Sequence, residues 1–118
     1  ETQVMAEESY LEKSVVEYCR SLGIYTRKMV SPSNSGVPDR IIVGKGLTLF
    51  LELKRPGETP NSLQRDEINM LNFSGGFATW CADLDQATNL IDCANCRGGA
   101  VRSILRGMCD KLNFWVAK

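Results

Sequence analysis

Histidine is absent from this sequence of 118 residues. That excludes a Ser-His-Asp triad, a Cys-His nucleophile pair, an HExxH zinc site and a two-His-one-carboxylate iron site. Acid–base chemistry near neutral pH is left to carboxylates, lysine, tyrosine, cysteine or metal-activated water. Net charge is missing too. Lysine plus arginine numbers 14 and aspartate plus glutamate 14, so no global positive field advertises a nucleic-acid partner. No apolar run approaches the ~20 residues that span a bilayer, and no basic n-region precedes an apolar h-region. No membrane partner is therefore expected, and the expected compartment is the cytoplasm. The five cysteines are odd in number and read there as reduced thiols, not as a disulfide framework. Repeats and low-complexity linkers are lacking as well. A chain this short holds one core, so a single domain over residues 1–118 is expected.

What is present is enough apolar material to fold. Hydrophobic residues make up 43% and charged residues 24%, which excludes a disordered chain. Charge is uneven: Glu1, Glu7, Glu8 and Glu12 make the start acidic, and Arg97, Arg102, Arg106, Lys111 and Lys118 make the end basic. Ser9 to Leu22 reads as an amphipathic helix stopped by Gly23. Leu11, Val15, Cys19 and Leu22 form its apolar arc, and Glu12 falls inside that arc, where a carboxylate is costly unless paired. Ile24 to Val30 reads as a strand, residues 31–36 as a turn cluster, and Val37 to Val43 as a strand after Pro38. Gly44-Lys45-Gly46 reads as a hairpin turn. From Leu47 to Lys54 the leucines share one face, and Thr48, Phe50, Glu52 and Lys54 share the other. Thr59-Pro60 opens a helix to Phe73; Phe77 to Ala82 is a strand; Asp83 or Asp85 caps a helix to Ile91. Val101 to Leu112 reads as a last helix with Arg102 and Arg106 exposed. The order α-β-β-β-α-β-α implies an α/β layer fold with a mixed sheet flanked by helices.

Three of these residues combine. If Gly44 pairs with Leu47 across the hairpin, Asp39 lies opposite Glu52, and period two sets Lys54 on the same face. Two carboxylates that close repel unless a cation sits between them. A few hard oxygen ligands suit Mg²⁺ or Mn²⁺, which keep several waters and accept phosphate oxygen. Such a site supports phosphodiester hydrolysis, with Lys54 orienting the attacking water or neutralising charge on the phosphorane.

Gly36-Val37-Pro38-Asp39 followed by Glu52-Leu53-Lys54 resembles the PD-(D/E)xK nuclease pattern. The wider set resembles the VRR-NUC family, the virus-type replication-repair nucleases, in its stand-alone viral form. It adds Glu12 in the first helix, Pro56-Gly57 after the strand and Gln64 opening the next helix. The match spans residues 9–91 and leaves 92–118 as a C-terminal extension. The resemblance implies a restriction-endonuclease-like αβββαβ core and Mg²⁺ or Mn²⁺ dependence. By that similarity Asp39 and Glu52 hold metal with the Leu53 carbonyl, Lys54 is catalytic, Glu12 holds metal or its water, and Gln64 steadies the site. It further implies a homodimer in a host-cell cytoplasm that cuts branched or duplex DNA in viral replication, recombination or repair. Nothing resembles a base-reading helix or zinc finger, so selection by DNA structure is expected.

Each residue also has a plainer reading. Asp39 can cap a turn, Glu52 and Lys54 can be a solvated pair on an edge strand, Glu12 can snorkel, and Gln64 is ordinary in a first helical turn. Phosphate contacts in a neutral protein must be local; the candidates are Arg55, Arg65, Lys45, Arg102 and Arg106. Phe114-Trp115-Val116 reads as a final strand, core packing or a dimer seam. Two other functions remain open. One is a non-catalytic nucleic-acid-binding module of the same fold. The other is a zinc or redox interaction protein built on Cys93-Ala94-Asn95-Cys96, with Cys19, Cys81 or Cys109 completing a zinc site.

Overall fold

The first helix ends where glycine dictates. Gly23 takes φ +71°, and the N–H groups of Gly23 and Ile24 reach back to the carbonyls of Arg20 and Cys19 at 3.1 and 2.8 Å. These are the two bonds of a Schellman cap. Helix α1 is Thr2–Ser21 and so begins before the expected Ser9. The computed structural model describes the backbone of residues 2–33 and 35–113 and the side chains of 10–33 and 35–110. Phe114-Trp115-Val116, and the strand or dimer seam expected there, lie outside the described residues.

Strands β1 (Tyr25–Lys28), β2 (Arg40–Val43), β3 (Thr48–Leu53) and β4 (Phe77–Cys81) form one sheet in that order. β1, β2 and β3 run antiparallel in turn, and β4 is parallel to β3. The sheet is mixed, as expected, because the helix between β3 and β4 carries the chain back to start a strand in the same direction. The leucine face is the core. Leu47, Leu49, Leu51 and Leu53 are buried with Leu11, Val15 and Cys19 of α1 and with Ala87, Leu90, Ile91 and Ala94 of α3 (Leu84–Ala94). Each buried leucine contributes roughly 2 kcal/mol of transfer free energy. Asp83 caps α3, its carboxylate accepting from the Gln86 N–H at 2.8 Å.

The start of α2 (Ser62–Phe73) differs from the Thr59-Pro60 expectation. Asn61 is the N-cap. Its side chain accepts from the Gln64 N–H, and Gln64 Oε1 accepts from the Asn61 N–H, each at 2.9 Å. This capping box satisfies two end groups at once, which a single hydroxyl at Thr59 could not do.

Helix α4 (Gly99–Asn113) lies against the sheet edge. β4 is an edge strand, and the outward groups of its Ala78 are met: Asn72 of α2 bonds both the carbonyl and the N–H, at 2.8 and 2.9 Å. Of the two arginines expected on an exposed face of α4, Arg102 is exposed and Arg106 is half-buried, and both make contacts here. Arg106 donates to the Gly76 carbonyl and to Asn72 Oδ1, and its guanidinium lies 4.0 Å from the Phe77 ring centre. Arg102 donates to the Gly46 carbonyl at 2.8 Å and lies 5.2 Å from the same ring. Two carbonyl-type partners and a cation–π contact suggest a combined cost of about 1–3 kcal/mol when Arg106 is removed. Arg106→Ala is expected to lower the thermal midpoint, which a melting curve reads. Among the described residues no helix is long and apolar enough to cross a membrane.

Candidate active site

The hairpin sets the register of the site. The Gly44 N–H donates to the Leu47 carbonyl at 3.0 Å. From there the ladder runs Val43↔Thr48, Ile42↔Leu49, Ile41↔Phe50 and Arg40↔Leu51. One further step brings Asp39 opposite Glu52. Directly opposed residues share a face, so both carboxylates belong to the face away from the leucine core.

Asp39 is pinned from both sides. Its carbonyl accepts from the Met29 N–H at 2.8 Å, beside β1. Its Oδ2 accepts from the Leu53 N–H at 2.8 Å, on β3. A carboxylate that bonds across strands is not capping its own turn. The Gly36-Val37-Pro38 segment before it is seated on α2: Pro38 is fully buried, and a Cβ at Gly36 would meet the Leu63 carbonyl carbon at 2.7 Å. Only glycine lets the loop approach the first turn of α2 this closely.

Glu52 is 2% exposed and sits on a strand between β2 and β4. It is therefore not part of a solvated edge pair. Lys54 Nζ lies 3.9 Å from Glu52 Oε2, with the lysine side chain 13% exposed. The same ammonium donates to Gln64 Oε1 at 3.3 Å, the oxygen that also closes the capping box. One amide oxygen thus links the helix cap to the lysine. The Lys54 N–H donates to the Cys81 carbonyl at 2.9 Å, fixing the strand end against β4. Cys81 is buried at this end of the sheet. Burial first, then Asp83 and Asp39, push its thiol up to about 12. Cys81 faces Leu53 across the ladder and belongs to the leucine core, on the other side of the sheet from Glu52.

Glu12 stands elsewhere. Its Oε2 accepts from Arg40 Nη1 at 2.8 Å, and Arg40 Nε donates to Thr26 Oγ1 at 3.1 Å. Arg40 faces Leu51 across the ladder, so this cluster lies on the leucine side of the sheet, opposite Glu52. The inward carboxylate of α1 has its partner, and that partner is the residue after Asp39. No group of three or more ligand-type side chains that could hold a metal converges among the described residues.

No family model matches the chain. It is 34% identical over 89 residues to "Putative nuclease p44" of Acyrthosiphon pisum secondary endosymbiont phage 1, an alignment covering 75% of this chain and 95% of that protein. A solved structure of a VRR_NUC domain superposes with a TM-score of 0.66 at 25% identity, over 73% of this chain and 95% of that one.

The chain belongs to the VRR-NUC nuclease family.

In this VRR-NUC chain the basic candidates divide between the two ends of the sheet. Arg55 and Arg65 are at the carboxylate end, next to Lys54 and Gln64 in sequence. Arg55 pairs with Glu58, and Arg65 donates to the Pro60 carbonyl at 3.3 Å. Lys45 is in the hairpin at the other end, and Arg102 and Arg106 are bound there, to Gly46 and around Phe77. Leu49 pairs with Phe77 and Leu53 with Cys81, so the ends lie four residues apart, roughly 13 Å along the strands.

Sequence reading missed two residues beside the site. Arg40 gave no signal because its partners come from α1 and β1. Trp80 pairs with Glu52 across the parallel ladder, and its indole N–H is buried with no hydrogen-bond partner among the described residues. Parallel pairing through a helix leaves no mark in local periodicity.

Cys19, Cys81 and Cys109 all belong to the hydrophobic core. No third ligand joins Cys93 and Cys96 among the described residues.

Proposed function

We propose that this nuclease is a divalent-metal-dependent DNA endonuclease that selects its substrate by DNA structure. The observation that carries the reading is the register that sets Asp39 opposite Glu52, with Lys54 held between Glu52 and Gln64. Two carboxylates on one face, with Cys81 in the core on the other side of the sheet, make a hard-oxygen donor set that fits Mg²⁺ or Mn²⁺. Asp39, Glu52 and the Leu53 carbonyl would hold the ion. It would supply charge compensation for the carboxylates and Lewis acidity toward water and a phosphate oxygen.

The remaining work belongs to the chain itself. Lys54 offers its ammonium to the scissile phosphate or the attacking water, and Gln64 fixes its direction by accepting one of its hydrogens. Glu12 acts on the site through Arg40: the pair anchors the start of β2, one residue from Asp39. Arg55 and Arg65 are positioned for phosphate contacts near the cut, whereas Lys45, Arg102 and Arg106 lie at the far end. The site sits on a strand end with no inserted reading element among the described residues, which supports selection by backbone shape. The homodimer of the family resemblance is part of this reading, and exposed Leu63, Met70 and Phe73 of α2 offer apolar surface for it.

The test is a cleavage assay with Mg²⁺ or Mn²⁺ on supercoiled, nicked, flap and four-way DNA, with Lys54→Ala beside the native chain. Cutting that needs metal, prefers one branched form and falls at least ~10²-fold in Lys54→Ala is expected. Binding without cleavage across all metals and DNA forms would favour the non-catalytic module instead.

A further inference from the structure

Cys93 and Cys96 take no part in the chemistry above, and they stand apart from the other cysteines. Cys19, Cys81 and Cys109 are buried, Cys93 is half-buried and Cys96 is exposed, and all five are free. Burial holds the Cys109 thiol up at about 11, and that of Cys81 higher still. Reaction with a solute thiol reagent is thus confined to one end of the protein.

The backbone there brings the two exposed-side cysteines together. Cys93 lies in the last turn of α3, and Asn95 at the C-cap keeps a helical conformation, φ −86° and ψ −3°. The Cys96 N–H donates to the Cys93 carbonyl at 3.2 Å. A closed turn of this kind holds its first and fourth Cα atoms less than ~7 Å apart, inside the span a disulfide bridges. The turn is also braced from outside. The Ala94 carbonyl accepts from the N–H groups of Gly46 and Leu47, at 3.0 and 3.1 Å. Asn95 Oδ1 accepts from the Lys45 N–H at 3.1 Å. The hairpin therefore fixes the segment that carries both sulfurs.

We propose that Cys93 and Cys96 form a thiol–disulfide exchange site that closes into an intramolecular disulfide on meeting a low-molecular-weight disulfide. The Cys96 thiolate attacks one sulfur of the small disulfide. A mixed S–S bond forms, and the other half leaves as a thiolate. The Cys93 sulfur then attacks Cys96, forming the Cys93–Cys96 bond and expelling the second half. Two protein thiols lose two protons and two electrons, and the small disulfide is reduced to two thiols. The order follows from access, since Cys96 is the exposed partner. Burial, and then Asp92, also raise the Cys93 thiol, which leaves the first attack to Cys96. Closing so short a loop removes little chain entropy. The bond is a clasp on the elbow between α3 and α4, at the end of the sheet away from Asp39 and Glu52.

The experiment is incubation of the native protein with oxidised glutathione, followed by thiol titration after unfolding and by peptide mass mapping. Titratable thiols are expected to fall from five to three. The mass is expected to drop by two hydrogens, a cross-linked 93–96 peptide to appear, and dithiothreitol to restore the start. Cys93→Ser is expected to stop at a glutathione adduct on Cys96. Persistence of all five thiols would overturn the proposal. So would a lasting glutathione adduct on Cys96 of the native chain, or a cross-link that involves Cys19, Cys81 or Cys109. None of these outcomes depends on nuclease activity.

Discussion

Glu52→Gln is expected to silence cleavage, by roughly 10³-fold or more, while the protein melts at the same temperature or higher. The two directions share one cause. Glu52 is a carboxylate with a 3% exposed side chain on a central strand. Burying a charge is expensive even with a partner, and an isosteric neutral side chain avoids that cost provided the remaining partner keeps an acceptor of its own. Glutamine keeps the shape and one acceptor oxygen, and it removes the charge on which the proposed metal binding and the electrostatics around Lys54 depend. Lys54 retains Gln64 as an acceptor at 3.3 Å, so it is not left alone. The measurements are a melting curve, a cleavage time course and calorimetric titration with Mn²⁺. Retained cutting in a preparation free of contaminating nuclease, or a collapse of the fold, would contradict the role given to this residue.

Gly36→Ala is expected to damage both stability and turnover, although residue 36 touches no reacting atom. The added methyl would be driven into the Leu63 carbonyl. That group belongs to the first turn of α2, and backbone yields less readily than a side chain. Overpacking of this kind costs about 1–3 kcal/mol. The strain falls between the loop that ends in Asp39 and the turn that holds Gln64. A displacement of about 1 Å between them is enough for a ~10²-fold loss of rate. Cleavage measured well below the melting transition, where the variant is fully folded, is expected to remain depressed. Full activity under those conditions would show that the close approach serves packing alone.

Much of this site is local, and that is why the sequence made it legible. A two-residue turn, Lys45-Gly46, between two strands fixes one register. Once Gly44 meets Leu47, the meeting of Asp39 with Glu52 is arithmetic. Gly23 announced the end of α1 and Asp83 the start of α3 for the same reason, since their signals lie within a turn of the effect. The partner of Glu12 was not legible. The helical wheel showed that this carboxylate needed one, but Arg40 reaches it only after α1 has folded over the leucine face. Arg102 is exposed, as the helical spacing implied, but the contacts of Arg102 and Arg106 with Gly46, Asn72, Gly76 and Phe77 were not legible, because they come from three separate parts of the chain. The cap of α2 was placed two residues early, because the reciprocity of Asn61 and Gln64 outweighs the familiar Thr-Pro opening.

The doubly used oxygen of Gln64 has a consequence for how the protein responds to heat. Helix ends open at lower free energy than the body of a domain. When the first turn of α2 loosens, the amide that aims Lys54 loses its anchor while the leucine layer is still intact. Catalytic output is therefore expected to decline on warming before circular dichroism registers any melting, as a reversible dimming that cooling restores.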